Sequence, residues 1–214
     1  MKLLAVLILA GALAGTALAA PGDPQRKHTA ADQALAKAAL LKKSDFGTGW
    51  TATPTKQSSS SGLSCATFKP DQSDLIETGN ADSPDFANGP AVFLSQTVAV
   101  FKTAGQAASS WSRIVKPGLI GCLASLLEQG SSKGTTITVT RKGTFAFPKL
   151  AARTAAFRLV ASVKSGTTTL PVYADLVLLA RGRMDSVIFF TSVGKALPAA
   201  LEQQVAGIAA KRLK

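Results

Sequence analysis

The sequence predicts an α+β domain: an antiparallel sheet of about five strands with helices packed mainly on one face. Three observations carry this reading. Four apolar or β-branched runs fill the second half of the chain, Thr136–Thr140, Ala155–Lys164, Leu170–Ala180 and Met184–Ser192. The last three are joined by Ser165–Thr169 and by Arg181-Gly182-Arg183, connections so short that only antiparallel neighbours can use them. A fifth run, Ala91–Phe101, is continuous enough for a central strand, and apolar residues recur at helical spacing on either side of this set.

From the N-terminus, Lys2 precedes an apolar run from Leu3 to about Leu13, followed by Ala17-Leu18-Ala19-Ala20. That order of cation, apolar core and small-residue cleavage site predicts a cleavable signal peptide over residues 1–19. The run is shorter than the roughly 20 residues of a membrane span, and no cysteine stands at the cleavage site to take a lipid. The expectation is a secreted or cell-envelope protein with no permanent membrane span. Residues 20–29, with Pro21, Gly22, Pro24, Arg26 and Lys27, have no apolar period and read as a flexible leader. Residues 30–214 read as one domain, long enough to bury a core.

Thr29 stands three positions before Asp32 in the manner of a helix N-cap, and Ala31, Leu35 and Ala38 share a face, so a helix is predicted from about Ala30 to Lys43. Asp45-Phe46-Gly47-Thr48-Gly49-Trp50 then turns the chain. Its two rings either plug the core or, for Trp50, face a ligand. Residues 52–64 and 78–90 are rich in Thr, Ser, Gly, Asn, Asp and Pro and read as mobile loops. After the Ala91–Phe101 strand, Ala104, Ala107, Ala108, Trp111 and Ile114 mark a helix that ends at Pro117-Gly118. Leu119, Cys122, Leu123, Leu126 and Leu127 mark another, with Cys122 toward its apolar face. Pro198 opens a terminal helix carrying Leu201, Val205, Ile208 and Ala209.

The chain holds 24 Lys and Arg against 12 Asp and Glu, a formal charge of +12. Such a field favours polyanions, and for an exported protein these are anionic envelope polymers or a membrane surface, not nucleic acid. Cys65 and Cys122 both lie in the exported part, where a disulfide can form; two separate buried thiols are the alternative. A bond would tether the loop around Cys65 to the rest of the domain.

Catalytic machinery is hard to find. Nucleophilic hydrolysis wants a positioned base, usually His, and the one histidine, His28, falls in the leader. One His and two distant cysteines match no metal-ligand spacing, and no glycine-rich phosphate loop is present, so neither metal nor cofactor is expected. Asp71, Asp74 and Glu77 could supply a glycosidase pair only if two of them faced one cleft. Asp175 interrupts an apolar strand and shares a face with Tyr173. If that face is wet both are ordinary; if it lines a cleft, Tyr173 and Asp175 would orient a ligand.

The order of a helix, Ser44-Asp45-Phe46-Gly47-Thr48-Gly49-Trp50, Cys65 in a loop, the Ala91–Phe101 strand, a helix with Trp111 and then Cys122 resembles the exported sensor-like domains of actinobacterial proteins. Among these are the extracellular domain of a mycobacterial receptor-type serine/threonine kinase and related small lipoproteins. The resemblance spans about residues 30–212 and implies a disulfide-bonded α+β domain with a ligand cleft. The chain departs from it in having no kinase domain, no lipid-attachment cysteine and only two cysteines. The leading expectation is an exported, non-enzymatic binding domain that holds a small molecule, lipid or envelope component in a cleft, with Trp50, Tyr173 and Asp175 as ligand-facing candidates. The rivals are an adhesive envelope protein held by charge and, third, a histidine-free glycoside hydrolase.

Overall fold

The structure, a computed structural model, describes residues 22–55 and 65–214. The expected signal peptide and most of the 52–64 loop lie outside the described residues. In chain order the elements are β1 (Gln25–Arg26), α1 (Ala30–Ala38), β2 (Trp50–Thr53), β3 (Ile76–Asp82), β4 (Asp85–Asn88), β5 (Val92–Phe101), α2 (Ala104–Ile114) and α3 (Pro117–Gln129). They continue with β6 (Thr135–Thr144), β7 (Arg153–Ser165), β8 (Thr168–Arg181), β9 (Met184–Val193) and α4 (Ala199–Arg212).

All the strands belong to one sheet, ordered β1-β3-β5-β9-β8-β7-β6. β4 follows β3 along the same edge of β5, pairing with Val92–Leu94, and β2 lies outside β4. Every pairing is antiparallel except β1 with β3. The meander β6-β7-β8-β9 and the central β5 follow the sequence reading closely. The count does not: the sheet has nine strands among the described residues, not five.

The additional strands come from segments that carry no apolar alternation. β3 reads Ile76-Glu77-Thr78-Gly79-Asn80-Ala81-Asp82 and was expected in part as mobile loop, yet most of it is buried. Its polar groups are satisfied locally, which is what permits burial. The Thr78 hydroxyl donates to the Val100 carbonyl, and Asn80 Nδ2 donates to Glu77 Oε2 at 3.1 Å. Gly79 is required where α1 crosses β3, because a Cβ there would stand 2.3 Å from the Asp32 carbonyl oxygen. The leader is also more than a free tail. From Gly22 onward it is laced to the body by backbone bonds of 2.8 Å from Gln25 to Leu75, Lys27 to Glu77 and Thr29 to Thr78.

Helices cover both faces, where packing mainly on one was expected. On one face, Ala36 of α1 and Val205, Ala206 and Ala209 of α4 pack with Val98, Val177, Leu179 and Ile188. On the other, Leu119, Ile120 and Cys122 of α3 and Trp111 and Ile114 of α2 pack with Leu176, Leu178, Phe157 and Leu159. β8 shows why: alternate side chains enter opposite cores, so Ala174 to Ala180 is buried throughout and reads as a continuous run.

The helix starts follow ordinary capping chemistry. Thr29 and Thr103 accept from the N–H groups of Asp32 and Gln106, each at 3.1 Å, and Pro117 occupies the first turn of α3. α1 ends at Ala38, five residues before the expected Lys43. There the chain leaves the helix to bury Leu41, whose N–H donates to the buried Gln96 Oε1 at 2.6 Å. A 3-10 turn over Lys43–Asp45 follows, and Asp45 is clamped by both terminal nitrogens of Arg212 on α4.

Candidate functional site

Between the sheet and the α2–α3 pair lies a cavity of about 300 Å³. Its floor includes Leu176 and Leu178 of β8 and Val187 of β9, and its roof Ile114, Leu119 and Leu123. The sequence builds it simply. β8 and β9 turn apolar side chains of one parity toward α2 and α3, and the Pro117-Gly118 break lets the two helices diverge instead of lying as one rod over the sheet.

The segment following Cys65 reaches the cavity at Gln72. Cys65 and Cys122 are joined by a disulfide, with Cα atoms 5.6 Å apart, which fixes residues 65–68 to α3. Phe68 lies against Gly118, where a Cβ would come within 2.8 Å of its ring. Farther along, Gln72 lines the cavity and accepts from the Ser110 hydroxyl at 2.7 Å. Asp74 forms a forked ion pair with Arg113 of α2. The loop that looked poorly anchored in sequence is therefore pinned to both roof helices.

The cavity's polar groups are few. Glu77 lines it and is engaged: His28 Nε2 lies 2.9 Å from its Oε1 and Asn80 bonds its Oε2. Gln33 Nε2 donates to His28 Nδ1 at 2.8 Å and fixes the ring. Asp185 of β9 also lines the cavity, and its Oδ1 is buried without a hydrogen-bond partner. Burial pushes the Asp185 carboxyl up to about 7, against the attraction of Arg153 and the hydroxyl of Ser110. Asp185 follows the β8–β9 turn, where a carboxylate reads as an exposed hairpin end. The signal that could have found it is parity, since it shares a face with Val187 and Phe189, which pack under the helices.

The candidates named from sequence lie on the other side of the sheet. Trp50 is 8% exposed and stacks against Phe46 at 4.7 Å between centroids, with Phe86 behind; its ring is part of the core. Asp175 is 2% exposed. Directly across the β7–β8 ladder, Arg158 Nε donates to its Oδ1 and Nη2 to its Oδ2, both at 2.6 Å. Glu202 of α4, fully buried, receives Arg158 Nη2 at 3.3 Å, and the Arg158 guanidinium lies 4.6 Å from the Phe145 ring centroid. Burial first, then the neighbouring Asp175, pushes Glu202 up to about 8. Tyr173 shares the Asp175 parity on that face. This cluster joins α4 to the sheet and does not line the cavity. Asp71 and Asp74 do not converge with Glu77, as Asp71 accepts from the Ser73 N–H and Asp74 is held by Arg113.

A second, shallower groove of about 600 Å³ runs between Val115–Ile120 and Gly143–Phe147 over the end of β7. It presents no orphaned polar atom. Among the described residues no group of His, Cys, Asp and Glu converges as a metal site, and no helix is long and apolar enough to cross a membrane.

Fold and cavity together define an α+β domain whose single large sheet is covered by helices on both faces and is hollow beneath one helix pair. No protein-family model matches the chain, and no curated protein matches it in sequence. Among solved structures it is similar to the extracellular domain of PknH from Mycobacterium tuberculosis, at 10% sequence identity and a TM-score of 0.32. The alignment covers 64% of this chain and 64% of that one, less than two thirds of either.

Proposed function

We propose that this chain is an exported, non-enzymatic binding domain that takes a small apolar molecule into the cavity between the sheet and the α2–α3 pair. The observation that carries the reading is the cavity itself, apolar on floor and roof with a buried carboxyl oxygen left unpaired on its wall. Ligand sites are characteristically of this kind, mostly apolar with a few placed polar groups. Export is supported by the signal-like N-terminus and by the Cys65–Cys122 bond, which belongs to an oxidising compartment. Support for a non-enzymatic role comes from the dispersal of Asp71, Asp74 and Glu77 among separate partners and from the confinement of His28 by Glu77 and Gln33.

The test is native mass spectrometry of the mature protein purified from its own host, compared with its denatured mass. The expected result is an additional mass that denaturation releases and that a cavity-filling Leu123→Trp variant lacks. A bare chain under conditions that preserve weak complexes overturns the reading. The charge of +12 favours a second one, adhesion to anionic envelope polymer or membrane surface. Its mark is steep weakening with ionic strength, which uptake into an apolar cavity does not share.

A further inference from the structure

We propose that the ligand of this cavity is a compact apolar molecule bearing one ammonium group, and that Asp185 holds it through that group. The proposal rests on the reading of the cavity as a ligand site and goes further in naming the chemistry the site selects.

The charge of the lining is the first argument. Glu77 and Asp185 are the ionisable residues that line the cavity, and among the described residues no Lys or Arg does. In a chain with 24 cationic and 12 anionic side chains, the ionisable groups of the lining are both acids, while the cations that act on them, Arg26 at 4.0 Å from Glu77 and Arg153 near Asp185, stand outside the lining. A fatty-acid anion would bring its carboxylate against two acidic side chains, where like charge is unfavourable. An ammonium meets charge of the opposite sign.

The second argument singles out Asp185 from Glu77. Both Glu77 oxygens have partners, His28 and Asn80. Asp185 Oδ1 has none. Ser110 donates its hydroxyl hydrogen to Gln72, and Arg153, level with Asp185 but two strands away, acts on it through space without bonding it, its own Nη1 being buried and unpartnered. Buried polar atoms in native proteins are nearly always satisfied, and an exception wants an explanation. A ligand N–H is one. Burial that raises this carboxyl to about 7 would be relieved by an adjacent ammonium, which favours the charged carboxylate.

Trp111 supplies the third argument, since it lines the same cavity and an indole face attracts a cation better than any other side-chain ring. Size bounds the rest of the molecule. The cavity's roughly 300 Å³ is about twice the ~150 Å³ of an apolar cavity that holds benzene, room for a two-ring or cage-like body.

Isothermal titration of the mature chain with adamantylamine, adamantanol and adamantane carboxylic acid, at about pH 8, separates the possibilities. The three share one apolar cage and differ in the polar group. The amine is expected to bind at least about tenfold tighter than the alcohol, a difference of ~1.4 kcal/mol, and the acid more weakly than either. In Asp185→Asn the amine should lose its advantage while the alcohol still binds. Equal binding of amine and acid, or an amine preference that survives Asp185→Asn in a folded variant, overturns the proposal. The comparison of ligands on the unmodified chain decides the matter even if the variant fails to fold. Binding of the alcohol with no preference for the amine refutes the ammonium alone; binding of none of the three refutes the cavity reading and the ammonium with it.

Discussion

Replacing Asp185 by Asn should change stability in a way that depends on pH, because the folded state holds this carboxyl at about 7 against an ordinary value of 3.8. Between those values the folded chain binds a proton that the unfolded chain has released, so stability is fully present below about pH 4 and declines as pH rises toward 7. A shift of this size corresponds to at most about 4 kcal/mol, at roughly 1.4 kcal/mol per pKa unit. Asn removes the ionisation but still buries a polar amide, which itself costs about 1–3 kcal/mol if unpaired. The variant should therefore equal or slightly trail the parent near pH 5 and exceed it by about 1–3 kcal/mol near pH 8. Urea unfolding at several pH values, with m held in common, measures this difference. Glu202 also titrates in the upper part of the range, but it is present in both proteins and cancels in the comparison. A difference that stays flat from about pH 5 to 8, or a variant less stable at the alkaline end, would refute the argument that burial dominates at Asp185.

Breaking the disulfide with Cys65→Ser and Cys122→Ser, which opens a sequence separation of 57, should lower unfolding stability by about 4 kcal/mol in the chain-entropy estimate; an unchanged urea midpoint would show that the loop is held without the bond. Arg158→Met leaves Asp175 and Glu202 buried without their cation and should cost about 3–5 kcal/mol at neutral pH; a urea midpoint equal to the parent's would show that the cluster does not hold α4 to the sheet. Gly79→Ala forces α1 away from β3 and should cost at least about 1–3 kcal/mol, with hydrogen exchange quickened in α1 before other helices; a melting temperature equal to the parent's would contradict the close approach.

Much of the sheet was legible because β5 and the strands from β6 to β9 announce themselves through apolar and β-branched runs and, from β7 to β9, through tight turns. β3 and β4 did not, because they pay no hydrophobic toll. Thr78 and Ser83 are buried through hydrogen bonds to the backbone of β5, and the Asn80 N–H is met by Gln33 of α1, partners distant in sequence that no local pattern reveals. The covering of both faces was hinted at by β8, whose apolar stretch from Leu176 to Ala180 ignores the alternation of a sheet with one wet side. Asp175 drew notice as a polar break in that stretch, but its partners Arg158 and Glu202 lie 17 residues before it and on the terminal helix. Asp185 sits where hairpin ends usually carry charge, so only the direction of its side chain beneath α2 separates it from an ordinary surface residue.

The bond between Cys65 and Cys122 also links the redox state of the surroundings to the shape of the cavity. With the bond reduced, residues 65–68 are attached to α3 by packing alone, chiefly Phe68 against Gly118, while Gln72, the residue of this stretch that lines the cavity, keeps its tie to α2 through Ser110. Under the proposed export and ligand uptake, that covalent hold is gained only once the chain has reached an oxidising compartment.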